Sequence, residues 1–161
     1  MEPQPTNIMS TSPDTTRRSP VFSGEFHPLL DQKKRLTIPA RWRSDSLEEL
    51  YIIKSLVRGC LVAMPEEGME IMRVQAEHEA TSTEEKQIFT DQLYSQAVIC
   101  PVDSQGRMVL PDDLCRFAGI EKELVLTGSG RKFDLWAPRI WQERQRAVEA
   151  TYATMQKRLG L

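Results

Sequence analysis

The sequence predicts a mainly β fold with added α-helices (α+β), in which one strand–turn–strand–helix–hairpin–helix module occurs twice and closes into a small barrel. Two observations carry this. The phrase "DQKKRLTIP" at residues 31–39 returns 72 residues later as "DSQGRMVLP" at residues 103–111. Around both copies, short apolar runs are punctuated by proline and glycine at matching places.

Residues 1–21 form a tail rich in Pro, Ser and Thr, which holds too few large apolar groups to offset its ordering entropy and is expected to be disordered. The first module, with its helices, runs from 22 to 95. Phe22 to Leu30 is a predicted strand, residues 31–34 a polar turn, and Arg35 to Ile38 the return strand. Pro39 then opens a short helix, since its missing N–H is no loss there. "ELYIIKSL" (49–56) and "CLVAM" (60–64) are strands joined through Arg58-Gly59. Pro65 starts a helix in which Met69, Met72 and Ala76 recur at helical spacing, and a second helix covers about 83–95.

The second module, 96–161, repeats the order. "QAVICPV" (96–102) is a strand, Ser104 to Gly106 a turn, Arg107 to Leu110 a strand, and Pro111 opens a helix that Gly119 ends. "ELVLTG" (123–128) and "KFDLWA" (132–137) make a hairpin, and the final helix begins at Pro138. Its Trp141, Val148, Tyr152, Met155 and Leu159 lie on one stripe, a packing face for the barrel or for a neighbour. The same shift sets Leu61 on Phe133, Ala63 on Leu135 and Met64 on Trp136. Two such short modules are marginal alone, and interleaving them closes a barrel without open strand edges.

Charge is unevenly placed. The net charge is −2, yet residues 31–43 carry Lys33, Lys34, Arg35, Arg41 and Arg43 against Asp31, a local +4. Seven glutamates between 66 and 85 are the counterweight, on what should be a solvated helix face. Cys60, Cys100 and Cys115 are odd in number, widely spaced and accompanied only by His27 and His78, which is no metal-ligand pattern. They are expected to be buried thiols in a reducing compartment. No apolar stretch suits a membrane span or a signal core, so a cytoplasmic protein without membrane contact is expected.

"GEFHPLLDQKKRLTIPARWR" and "CPVDSQGRMVLPDDLCRFAGIEKELVLTGSGRKFDLWAPRIWQE" resemble the two halves of the MraZ family of bacterial transcriptional regulators. Each half is similar to the swapped-hairpin module of the AbrB and MazE group and carries its Asp-x-x-x-Arg motif. The resemblance covers about residues 22–145. It implies a pseudo-twofold double-split β-barrel of two AbrB-like swapped-hairpin modules, with peripheral helices, assembled as a homo-oligomeric ring. It also implies binding in the nucleoid to repeated, G-rich promoter boxes of the division and cell-wall gene cluster, hence double-stranded DNA as partner.

The residue types suit that task. Arginine at the base of a protruding turn offers a planar donor fork matched to guanine O6 and N7 or to phosphate. Asp31 faces Arg35 across its turn, and Asp103 faces Arg107, so each carboxylate would hold a guanidinium in place. Lys33, Lys34 and Arg35 are the principal expected DNA contacts, with Arg107 and Gln105 assisting and Asp31 and Asp103 supporting the tips. Lys34 departs from the family, which has glycine just before the arginine, as Gly106 does; the first turn is therefore expected to differ in shape. The plain alternative makes both Asp–Arg pairs mere turn braces, worth about 0–1 kcal/mol when exposed. Arg41 and Arg43 are read as solvating a helix face, with Trp42 packed inward.

No catalytic dyad, phosphate-cradling loop or metal cluster stands out, so no enzyme, cofactor or small-molecule substrate is expected. The rival function is an oligomeric protein-interaction or antitoxin-like module without promoter recognition.

Overall fold

The computed structural model describes residues 20–44 and 46–161. The predicted tail lies outside the described residues as far as residue 19. The fold is α+β, with eight strands and four α-helices among the described residues. The first half supplies β1 (Glu25–Phe26), β2 (Arg35–Thr37), β3 (Glu49–Ser55), β4 (Cys60–Met64), α1 (Glu66–Glu79) and α2 (Thr83–Gln96). The second supplies β5 (Val98–Pro101), β6 (Arg107–Val109), α3 (Asp112–Ala118), β7 (Val125–Gly128), β8 (Phe133–Trp136) and α4 (Pro138–Leu159).

Proline and glycine set most of these limits. Pro65, Pro111 and Pro138 stand at the starts of α1, α3 and α4, where a missing N–H leaves no helical bond unmade. Gly119 ends α3 in the left-handed conformation, as predicted. The strand expected over Phe22 to Leu30 shrinks to β1, because Gly24 has a positive φ and Pro28 lacks a donor. What remains of it are isolated bridges from Phe22 to Gly130 and from Leu29 to Glu123. After Pro39 the chain makes only a 3-10 turn, Ala40–Trp42.

The strands form an antiparallel sheet in the order β1-β7-β8-β4-β3-β5 and a separate two-stranded ribbon, β2-β6. Exchanging the halves (β1 with β5, β3 with β7, β4 with β8) turns the sheet order into its own reverse. Each half thus adds its first strand to the other half's hairpin: β1 to β7, and β5 to β3. The ribbon has the same symmetry, with Leu36 opposite Met108 at its centre and Arg35↔Val109 and Thr37↔Arg107 outside.

No closed barrel forms among these strands, which corrects that expectation. β2 and β6 are three residues long and stop just before the Ile38-Pro39 and Leu110-Pro111 steps, so no continuous ladder joins the ribbon to the sheet. The open edges are modest in consequence. β1 has only two residues, and β5 ends in Pro101, which has no N–H to offer another strand.

One core spans both halves. Leu36, Ile38, Leu50, Ile52, Met108, Leu110, Leu126, Phe133 and Leu135 are all buried in it. Trp42 sits at its heart, as its inward packing predicts, with ring centroids 4.8 Å from Phe133, 5.1 Å from Phe26 and 5.5 Å from Phe22. Its indole N–H donates to the Ser23 carbonyl at 2.9 Å, so burial leaves no orphan donor. Met69 of α1 and Leu93 of α2 complete a smaller cluster with Val62 and Met64. The three cysteines are buried and unpaired, and burial pushes the Cys60 and Cys100 thiols up to about 11.

One charged group is drawn inside. Asp134 of β8, almost fully buried, accepts a two-pronged bond from Arg58 (Nη1–Oδ2 2.7 Å, Nη2–Oδ1 3.1 Å), whose guanidinium also lies over Trp136. Removing the arginine would leave a buried carboxylate unpaired. Arg58→Met is expected to lower unfolding free energy in urea by about 3 kcal/mol; a loss within experimental error would mean that the pair contributes nothing.

Candidate nucleic-acid interface

Side chains alternate across a β-strand, so burial of Leu36 and Met108 turns their neighbours outward. Arg35 and Thr37 of β2, with Arg107 and Val109 of β6, therefore share the outer face of the ribbon. Arg35 and Arg107 lie diagonally across it, a spacing of roughly 7–8 Å in an antiparallel pair. The two motif turns lead into opposite ends of this face.

The turns are built by aspartate. In the first, the Asp31 carboxylate accepts the Lys33 amide at 2.8 Å and the Arg35 amide at 2.9 Å through one oxygen. Its other oxygen takes the Nε–H of Arg35. In the second, the Asp103 carboxylate accepts the Gln105 and Arg107 amides, both at 2.9 Å, and the Nε–H of Arg107 at 3.1 Å. Main-chain bonds match as well: Lys34 N–H to the Asp31 carbonyl (3.0 Å) and Gly106 N–H to the Asp103 carbonyl (2.9 Å). An aspartate that folds its own backbone into a turn is the reason this residue type leads each phrase.

These bonds set the charge state. The Arg35 amide, then the Arg35 guanidinium and the Lys33 amide, hold the Asp31 carboxyl below its ordinary value against a counteracting effect of burial. The Arg107 amide leads the same effect at Asp103. Both carboxylates thus stay ionised at neutral pH, and each fixes its arginine through Nε alone. The terminal nitrogens of Arg35 and Arg107 meet no acceptor among the described residues, leaving the outer edge of each fork for a ligand.

The expected difference in turn shape does not occur. Lys34 adopts φ 59°, beside φ 76° for Gly106, and is the sole non-glycine residue with positive φ among the described residues. The turn keeps its geometry and the lysine backbone is forced into it, at a cost of about 1–2 kcal/mol. The carbonyls of the two residues even act as matching acceptors, Lys34 for the Leu110 amide and Gly106 for the Ile38 amide, at 2.9 and 2.8 Å.

Lys33 and Gln105 are exposed on their turns, as expected. Sequence reasoning missed Arg43. Rather than solvating a helix face, it reaches the second turn, where its Nη1 donates to the Gln105 carbonyl at 2.9 Å. Its 62-residue separation from Gln105 gave no local signal. Elsewhere the acidic helices follow the expected solvated pattern, with Arg73 bridging Glu70 and Glu77 on α1. No group of three His, Cys, Asp or Glu side chains among the described residues has metal-site geometry.

Comparison with known proteins gives one consistent answer. Residues 93–159 match a family profile described as "MraZ protein, putative antitoxin-like". A protein of Roseiflexus sp. (strain RS-1) named transcriptional regulator MraZ is 33% identical over 140 residues, 87% of this chain and 97% of that protein. Its namesake in Lactiplantibacillus plantarum is 30% identical over 139 residues, 86% of this chain and 98% of the relative. The one in Leuconostoc citreum is 34% identical over 122 residues, 76% of this chain and 85% of its own. These relatives are named as regulators and not as enzymes. With likeness of this extent, running through both halves and both turns, the chain belongs to the MraZ family.

Proposed function

We propose that this protein is a transcriptional regulator that binds double-stranded DNA sequence-specifically through the outer face of the β2–β6 ribbon. The observation that carries the reading is the pair of aspartate-clamped arginines, Arg35 and Arg107, presented side by side on one exposed surface. Their diagonal spacing of roughly 7 Å corresponds to about two base-pair steps at 3.4 Å each. Each fork can meet guanine O6 and N7 or a phosphate, while Lys33 and Lys34 add attraction to the backbone and Gln105 a further polar contact. The names of the relatives support a role in transcription.

The targets are repeated promoter boxes of the division and cell-wall gene cluster, and the protein meets them as a ring in the nucleoid. Two AbrB-like modules, 22–95 and 96–161, exchange their first strands to set the two tips at one surface. A single pair of tips holds DNA weakly at physiological salt, because each phosphate contact is lost as counterions compete. Several pairs fixed on one assembly meet tandem boxes at high effective concentration. The 22-residue α4 buries none of its residues, and its Tyr152, Met155 and Leu159 stand exposed on one stripe. That stripe is the contact offered to a second copy.

The same stripe also favours a second reading, an oligomeric protein-interaction or antitoxin-like module without promoter recognition. A salt-dependent shift assay on DNA upstream of the protein's own gene separates the two. Tandem boxes should bind far more tightly than one box, and Arg35→Ala or Arg107→Ala should cost about 1–3 kcal/mol of preference over scrambled DNA while leaving the fold intact. Equal binding of one box and an array would refute the avidity account, wild-type preference in both variants would remove the two arginines from the site, and a wild-type protein with no preference over scrambled DNA would favour the rival.

The strain at Lys34 gives an independent check. Lys34→Gly should stabilise the fold by about 0.5–1 kcal/mol, since relief of the left-handed backbone exceeds the extra entropy of glycine in the unfolded chain. The same variant should bind DNA less tightly. A variant that is less stable and binds unchanged would show that the lysine is there for the fold.

A further inference from the structure

The 72-residue shift that superposes the motifs also sets Lys34 on Gly106 and Arg43 on Cys115. These four residues occupy two equivalent places in opposite combinations. At the first turn the left-handed position carries a lysine, and the matching residue of α3 is the small, buried Cys115. Lys34 is near enough for its charge to act on the Cys115 thiol, against the burial that raises it. At the second turn the left-handed position is glycine, and the matching residue after the 3-10 turn is Arg43.

Space explains the exchange. A Cβ on Gly106 would lie 2.2 Å from Cδ and 2.5 Å from Nη1 of Arg43, so the arginine fills the volume that a side chain at 106 would need. At each turn one cationic side chain fits at this point, and one is present. Lys34 rises from within the first turn; Arg43 arrives at the second from the other half of the chain. Arg43 is exposed, one guanidinium nitrogen is bound to the Gln105 carbonyl, and the others meet no acceptor among the described residues. The contrast in sequence between a doubly cationic first tip and a neutral second tip is thus halved in three dimensions, where one cation stands at the second tip and two at the first.

We infer that Arg43 is a nucleic-acid-contacting residue of the second tip, supplying there the phosphate-binding cation that Lys34 supplies at the first. This rests on the DNA-binding reading, and it gives each tip a cation beside its arginine at the equivalent place, while Lys33, set on Gln105 by the same shift, remains an extra charge of the first tip. The competing role is a splint, in which Arg43 only braces the Gln105 carbonyl.

Promoter-array DNA titrated against the full chain at several salt concentrations tests it, with thermal melts confirming folding. Arg43→Ala should bind more weakly and with a salt slope shallower by about 0.9 for every protomer engaged, as expected when one phosphate contact is lost. Arg43→Lys should keep the slope, because the charge remains. Arg43→Ala combined with Gly106→Lys moves the cation into the turn, as in the first tip, and should recover the wild-type slope. A weaker Arg43→Ala with an unchanged slope, or a folded double variant no better than the single one, would overturn the inference in favour of the splint. If Arg35→Ala and Arg107→Ala lose binding in the same titration while Arg43→Ala does not, the inference falls alone; if none of them loses binding, the DNA-binding reading falls with it.

Discussion

Leu36 and Met108 meet at the centre of a ribbon only three residues long on each strand, and the interface depends on that pairing. Both side chains are buried, which forces the residues on either side of them to face out. Because the two are equivalent residues of the repeated module, their pairing also places Arg35 and Arg107 symmetrically about one point. A slip by one residue would bury the arginines and expose the core. The sheet below reinforces the register, since each half completes the other half's hairpin.

Within that frame the aspartates convert flexible side chains into fixed ones. A lone exposed Asp–Arg pair adds little stability, and by that measure these two would be unremarkable. Their contribution lies in geometry. Each carboxylate gathers two amides and one Nε–H, so the turn and the guanidinium are fixed by the same group. An interaction of small net energy can still decide where a charge is presented, and recognition of a nucleic acid depends on placement as much as on strength. The backbone strain accepted at Lys34 has the same character.

Much of this was legible because local rules act alone there. β4 over residues 60–64 and the start of α4 at Pro138 coincide with their sequence boundaries, since glycine and proline determine them without help from distant contacts. The repeat of Asp31 and Arg35 as Asp103 and Arg107 marked the two matching turns for the same reason. What escaped involves residues far apart in the chain. Closure of the sheet failed because three-residue strands beside Ile-Pro and Leu-Pro steps cannot extend a ladder, a matter of length that the apolar pattern does not encode. The Arg58–Asp134 pair spans 76 residues and Arg43–Gln105 spans 62, and no spacing rule links them. The shape of the first turn was misjudged because a residue's preference against positive φ was weighed without the carboxylate that enforces it.

Lysine footprinting tests most directly whether the ribbon face is where DNA sits. The protein is acetylated with and without DNA from upstream of its own gene, and modification at each lysine is read by mass spectrometry. Lys33 and Lys34 should lose reactivity when that DNA is bound, while Lys86 and Lys157, on α2 and α4, keep theirs. Bound DNA that leaves Lys33 and Lys34 as reactive as in the free protein would contradict the account.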